Sequence, residues 1–135
     1  MALKSLHKIK ADFLNQTILK VLIIDDEADI CYLLSTLLKQ KQLDVDYVNT
    51  LSEATKTLEN EAPAIIFLDN HLPDGLGMDY IEYIKLNCPS TKIVIITAHD
   101  SAADQQKALG EGADLFIAKP FSREIIFKAV DELMN

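Results

Sequence analysis

The chain has 135 residues, with 21 Asp and Glu against 13 Lys and Arg, giving a net charge of −8. That length suits one domain with a sizeable core and no second full-size one, and an acidic balance without a basic stripe beside stacking aromatics disfavours direct nucleic-acid binding. Cys31 and Cys88 show no CxxC or Cys/His spacing and read as buried free thiols of a reducing, cytoplasmic compartment. No run approaches the ~20 apolar residues of a membrane span, and no signal-peptide core is present at the N-terminus.

Residues 1–19 stand apart. Leu3, Leu6, Ile9 and Phe13 recur at helical spacing, with Lys4, Lys8 and Lys10 between them and Asp12 alone opposing. This basic amphipathic extension reads either as an extra helix or tail docked on the domain, or as a contact for a partner or a second copy of the chain. The domain proper is expected over 20–135. It opens with KVLIID over 20–25, a continuous apolar strand ending in acid, and the next residues, Asp26 and Glu27, extend the acidic turn. A helix follows over 27–40, with Ile30, Leu33, Leu34, Leu37 and Leu38 on one face. Residues 43–48 alternate Leu43, Val45 and Tyr47 with Asp44 and Asp46, as an edge strand should. Thr50 or Ser52 then caps a helix reaching Asn60, with Ala54 and Leu58 inward.

AIIFLDNHLPDG, over 64–75, is the centre of the pattern. Five apolar residues without polar alternation describe a strand covered on both faces, and the run ends on one carboxylate, Asp69, before Pro73, Asp74 and Gly75 turn the chain. Read alone, Asp69 is either a turn or helix cap or a ligand-binding group at the carboxyl edge of a sheet. A helix over 79–87 buries Tyr80, Ile81 and Ile84 and stops before Pro89. KIVIIT, over 92–97, ends on the hydroxyl of Thr97. The helix over 101–109 has only Ala102, Ala103, Ala108 and Leu109 to turn inward, and a face this thin suggests mobility; Gly110 and Gly112 end it. A short strand over 115–118 breaks at Lys119-Pro120 into a last helix over 122–134, burying Ile125, Ile126, Ala129, Val130 and Leu133.

Strand and helix alternating five times predict an α/β fold, a doubly wound parallel sheet with helices on both faces. Right-handed crossovers bring all the strand ends to one edge, so Asp25, Asp26, Asp69, Thr97 and Lys119 meet at one rim. Carboxylates that converge repel one another unless a cation lies between them. Asp26 and Asp69, with a carbonyl and waters, form a hard oxygen set suited to Mg²⁺. An Asp carboxylate is a known nucleophile toward phosphoryl groups, while Lys119 and Thr97 can stabilise the transferred charge.

With those residues in view, the motifs VLIIDDE, IIFLDNHLPDG, IVIITA and GADLFIAKPF resemble, in order and spacing, the receiver domain of bacterial two-component response regulators. The resemblance covers 20–135 and implies a five-stranded flavodoxin-like sheet of order 2-1-3-4-5. It implies that Asp69 is the phosphoacceptor of a sensor histidine kinase or phosphotransfer protein. Asp26 matches the direct Mg²⁺ ligand, Asp25 the acid acting through water, and His71 the position whose backbone carbonyl binds the metal. Thr97 and Lys119 match the groups that meet the phosphoryl oxygens, and Phe116 the aromatic switch that follows Thr97 inward. Lys119-Pro120 matches a peptide that is typically cis. The implied output is a changed surface on the fourth helix, fifth strand and fifth helix, with dimerisation left open.

His71 and His99 flank the acceptor at positions implied to tune dephosphorylation. Imidazoles there make a phosphoryl lifetime that depends on pH between about 5.5 and 7.5 an expectation, and Zn²⁺ binding with Asp26 and Asp69 a further one. Two rivals are weighed. A haloacid-dehalogenase-type phosphohydrolase needs DxDx[TV] on its first strand, which IIDDEAD does not supply. A pseudo-receiver, an interaction module not controlled by phosphorylation, keeps the fold but not a complete acceptor site.

Overall fold

A computed structural model describes residues 18–134. The extension expected over 1–19 lies outside the described residues except for Ile18 and Leu19, which are non-helical. Five strands, β1 (Lys20–Ile24), β2 (Asp44–Val48), β3 (Ile65–Leu68), β4 (Lys92–Thr97) and β5 (Leu115–Ala118), form a parallel sheet in the order β2-β1-β3-β4-β5. This is the expected 2-1-3-4-5 sheet. The intervening helices are α1 (Ala28–Gln40), α2 (Leu51–Asn60), α3 (Gly77–Asn87), α4 (Ala102–Glu111) and α5 (Arg123–Met134). A two-stranded ribbon, His71–Leu72 against Gly75–Leu76, sits between β3 and α3.

Alternate strand residues feed two cores. Leu22, Ile24, Ile66, Leu68, Ile93 and Ile95 pack under α2, α3 and α4. Val21, Ile23, Ile65, Phe67, Val94 and Ile96 pack under α1 and α5. Every residue of β3 is fully buried because helices cover both faces, which explains why its sequence shows no alternation. β2 sits at the sheet edge, with Asp44 and Asp46 exposed or nearly so.

Several positions differ from expectation. Leu33, at 45% exposure, and Ile125, at 48%, face solvent, and α1 buries Cys31, Leu34, Leu37 and Leu38 instead. Each lies at the margin of an apolar stripe wider than the sheet that covers it. In α4 only Ala108 is buried; Ala102, Ala103 and Leu109 are exposed. Gly110 continues that helix, and Gly112, at φ 116°, ends it, because a left-handed residue closes the last turn without a Cβ penalty. Thr50, rather than Ser52, caps α2 by accepting from the Glu53 amide at 3.1 Å.

Candidate functional site

Asp25, Asp69 and Lys119 stand one residue beyond the ends of their strands, and Thr97 is the last paired residue of its own. Ile24 pairs with Leu68, and the Asp69 amide continues the ladder by donating to the Ile24 carbonyl at 2.9 Å. Thr97 closes β4 opposite Ala118, and the Lys119 amide donates to the Thr97 carbonyl at 2.8 Å. The Asp25 amide donates to the Val48 carbonyl at 3.1 Å. Three adjacent strands thus deliver Asp25, Asp69 and Thr97, and the outer strand delivers Lys119, to one edge with backbone precision.

Lys119 lies at the centre. Its Nζ is 2.8 Å from Asp25 Oδ2, 2.8 Å from Glu27 Oε1 and 3.6 Å from Asp69 Oδ1. The other Asp25 oxygen accepts from the Glu27 amide at 2.8 Å. Asp25 is fully buried, and Asp69 is only 4% exposed. Burial, together with the Asp25 charge, pushes the Asp69 carboxyl up to about 6, against the pull of Lys119 and the His71 amide. Burial raises Asp25 as well, with Lys119 opposing. For Lys119, burial works against the charge, but hydrogen bonds to Asp25 and Glu27 outweigh it and hold the ammonium above its ordinary range.

Negative charge exceeds positive here. Among the described residues, carboxylate oxygens of Asp25, Glu27 and Asp69 lie within 4.8 Å of one another. The sequence-based set named Asp26 in place of Glu27. Asp26 is exposed and lines a cavity of about 430 Å³ with Tyr32, Tyr47 and Asn49, although its charge still reaches Asp69. Glu27 was legible only as one of three consecutive acids; the turn decides which of them face Lys119. An all-oxygen, net-negative donor set fits a hard divalent cation.

The capping of α3 falls not to Asp69 but to Asn70. Its side chain accepts from the Met78 amide at 2.9 Å, and its carbonyl accepts from Gly77 at 2.8 Å. The Asp69 carboxylate is thus not needed to cap α3. Gly77 makes this possible: a Cβ there would stand 2.2 Å from the Asp69 carbonyl oxygen. Asp74 reaches across to α2, accepting from the Leu51 and Ser52 amides at 2.9 and 3.0 Å. Asn49 and Cys31 hold the Asp25 carbonyl, at 2.9 and 3.2 Å.

The profile of the response regulator receiver domain matches residues 21–131. The chain belongs to the response regulator receiver family. It is 36% identical over 115 residues to the response regulator protein PilR of Pseudomonas aeruginosa, covering 82% of this chain and 26% of PilR. The chain therefore spans about a quarter of that curated relative. The beryllofluoride-activated NtrC4 receiver domain dimer superposes with TM-score 0.82 at 36% identity, over 85% of this chain and 95% of that one. A Burkholderia pseudomallei response regulator with a phosphorylated aspartic acid, calcium ion and citrate matches at TM-score 0.76 and 29% identity, over 82% and 65%.

The remaining expected positions of this receiver lie around the same edge. Thr97 is buried, and its hydroxyl accepts from the His99 amide at 3.2 Å. The His71 and His99 rings meet at a centroid distance of 4.0 Å, tilted by 41°, joining the loops after β3 and β4. Phe116 is half-buried against the α2, α3 and α4 core. The Lys119–Pro120 peptide is cis. No helix among the described residues is long and apolar enough to cross a membrane.

Proposed function

We propose that this receiver is a cytoplasmic Mg²⁺-dependent phosphoacceptor that takes a phosphoryl group onto Asp69 from a sensor histidine kinase or phosphotransfer protein. It acts as a switch and not as a turnover enzyme. The carrying observation is a buried carboxylate that caps no helix, with a lysine 3.6 Å away and a buried hydroxyl on the neighbouring strand. An acyl phosphate forms when an Asp69 oxygen attacks phosphorus, the P–N bond of the donor phosphoimidazole breaks, and its electron pair returns to the ring nitrogen. Hydrolysis reverses the state: water attacks phosphorus, the carboxylate leaves, and inorganic phosphate departs. The phosphorylated aspartic acid in the Burkholderia relative supports this reading.

Asp25 and Asp69 supply the buried carboxylates that would hold Mg²⁺, joined by Asp26 and the His71 carbonyl on the family resemblance, while Glu27 is engaged with Lys119. When bound, Mg²⁺ supplies positive charge that shields the acids from an anionic donor. The chain's own groups do the rest. Lys119 meets the added phosphoryl charge, and Thr97 exchanges the His99 amide for a phosphoryl oxygen by turning about χ1. Phe116 follows into the space Thr97 leaves, and the surface formed by α4, β5 and α5 changes. That face exposes Leu109 and Ile125, so its partner is a protein surface with apolar character.

Intact mass after incubation with Mg²⁺ and acetyl phosphate tests this. One added phosphoryl group, absent in Asp69→Asn and without Mg²⁺, is expected. An unchanged mass with both acetyl phosphate and a phosphorylated histidine donor would make the chain an interaction module not controlled by phosphorylation.

A further inference from the structure

The ammonium of Lys119 has three N–H donors, and two are engaged at 2.8 Å by Asp25 and Glu27, while Asp69 stands further off at 3.6 Å. We propose that Glu27 is a positioning residue that holds Lys119 off the acceptor until phosphorylation, so that transfer of this lysine from Glu27 to the phosphoryl group limits activation. This rests on the phosphoacceptor reading above. Glu27 is built for the role from its backbone outward. Its amide is tied to Asp25 Oδ1 at 2.8 Å, which sets the side chain to reach the lysine that the other Asp25 oxygen already holds. The turn thus grips Lys119 at two points from one strand end.

The two grips differ in how readily they open. Asp25 is fully buried, so a lost partner there leaves an uncompensated charge. The Glu27 side chain is 58% exposed, and water takes over its solvation as soon as the lysine leaves. Glu27 is therefore the contact Lys119 gives up. One carboxylate competes with Asp69 while Asp69 carries a single charge, and it loses as the incoming phosphoryl group brings nearly twice that charge onto the acceptor, so the lysine changes partner within the transfer step itself.

The test measures phosphorylation rates from acetyl phosphate at saturating Mg²⁺, by intact mass, in the wild-type chain, Glu27→Gln, Lys119→Ala and the double variant. Glu27→Gln is expected to be phosphorylated faster by about 2- to 5-fold, the equivalent of one exposed ion pair. In the Lys119→Ala background the gain is expected to shrink below about 1.3-fold, since the two residues act as one unit. A Glu27→Gln rate equal to or below wild type, or a gain that persists without Lys119, overturns the proposal; persistence would make Glu27 a direct electrostatic brake on the donor. The Lys119 Nζ resonance gives a second reading that does not depend on the slow lysine variants. In Glu27→Gln it is expected to shift toward its position in the beryllofluoride-bound wild-type chain, and an unmoved resonance counts against the proposal. A wild-type chain that takes up no phosphoryl group from any donor instead removes the acceptor reading on which the proposal stands.

Discussion

Asp69→Asn should stabilise the unphosphorylated domain. The Asp69 carboxyl is pushed from an ordinary 3.8 up to about 6 by burial and by the Asp25 charge. Roughly two pH units correspond to a penalty on the order of 3 kcal/mol for keeping the ionised group in the fold. The attraction of Lys119 is already included, because it acts against the shift and loses. Between the two values the folded state holds the proton more tightly than the unfolded chain, so this contribution to stability is complete below about pH 4 and lost as pH rises through about 6. Asparagine carries no charge and avoids the loss at every pH. In EDTA at pH 7.5, urea denaturation should show Asp69→Asn more stable by about 2–3 kcal/mol, with melting roughly 8–12 °C higher for a domain of this size. At pH 5 about half of that gain should remain. A variant no more stable than wild type at pH 7.5, or a gain that ignores pH, would refute the assignment of electrostatic strain to the acceptor.

Mg²⁺ should do reversibly what that substitution does permanently: wild-type melting rises with Mg²⁺ and returns with EDTA, by about 3 kcal/mol of stability at 100 times the dissociation constant, while Asp69→Asn responds far less by calorimetry. Gly77→Ala should cost about 2–3 kcal/mol in urea titrations and slow phosphorylation, because its Cβ would stand 2.2 Å from the Asp69 carbonyl oxygen. Gly110→Ala, with open space around its Cβ, should instead stabilise by up to ~1 kcal/mol through helix propensity. Asp74→Ala should lower the melting temperature at pH 7 and matter less in acid. The α2 amides hold the Asp74 carboxyl below its ordinary value, so its stabilisation is present above the unfolded pKa and lost as pH falls through the folded one.

The sheet and its loaded edge were legible because a doubly covered strand writes its burial as an unbroken apolar run. β1, β3 and β4 each ended where their sequences turned polar. The parts that escaped depend on contacts between distant residues or on the geometry of a turn. Glu27 sits beside Asp26 in sequence, and nothing in the order Asp-Asp-Glu says which acids face the lysine 92 residues away. Asp74 looks like a turn residue and is also a helix cap for an element 23 residues earlier. Gly77 looks like a spacer until its contact with the Asp69 backbone is seen. Leu33 and Ile125 had the right periodicity, but periodicity fixes the centre of a buried stripe better than its margin.

The two native thiols have a practical consequence. Cys31 is buried with its Sγ donating to the Asp25 carbonyl, and burial pushes its thiol up to about 11; Cys88 is buried and raised as well. Neither forms appreciable thiolate at neutral pH, so maleimide reagents should pass both by in the folded protein. A single cysteine placed on the exposed side of α4, as in Leu109→Cys, can then carry a fluorescent label with the native sequence otherwise intact. The receiver offers a clean background for watching that helix respond in real time.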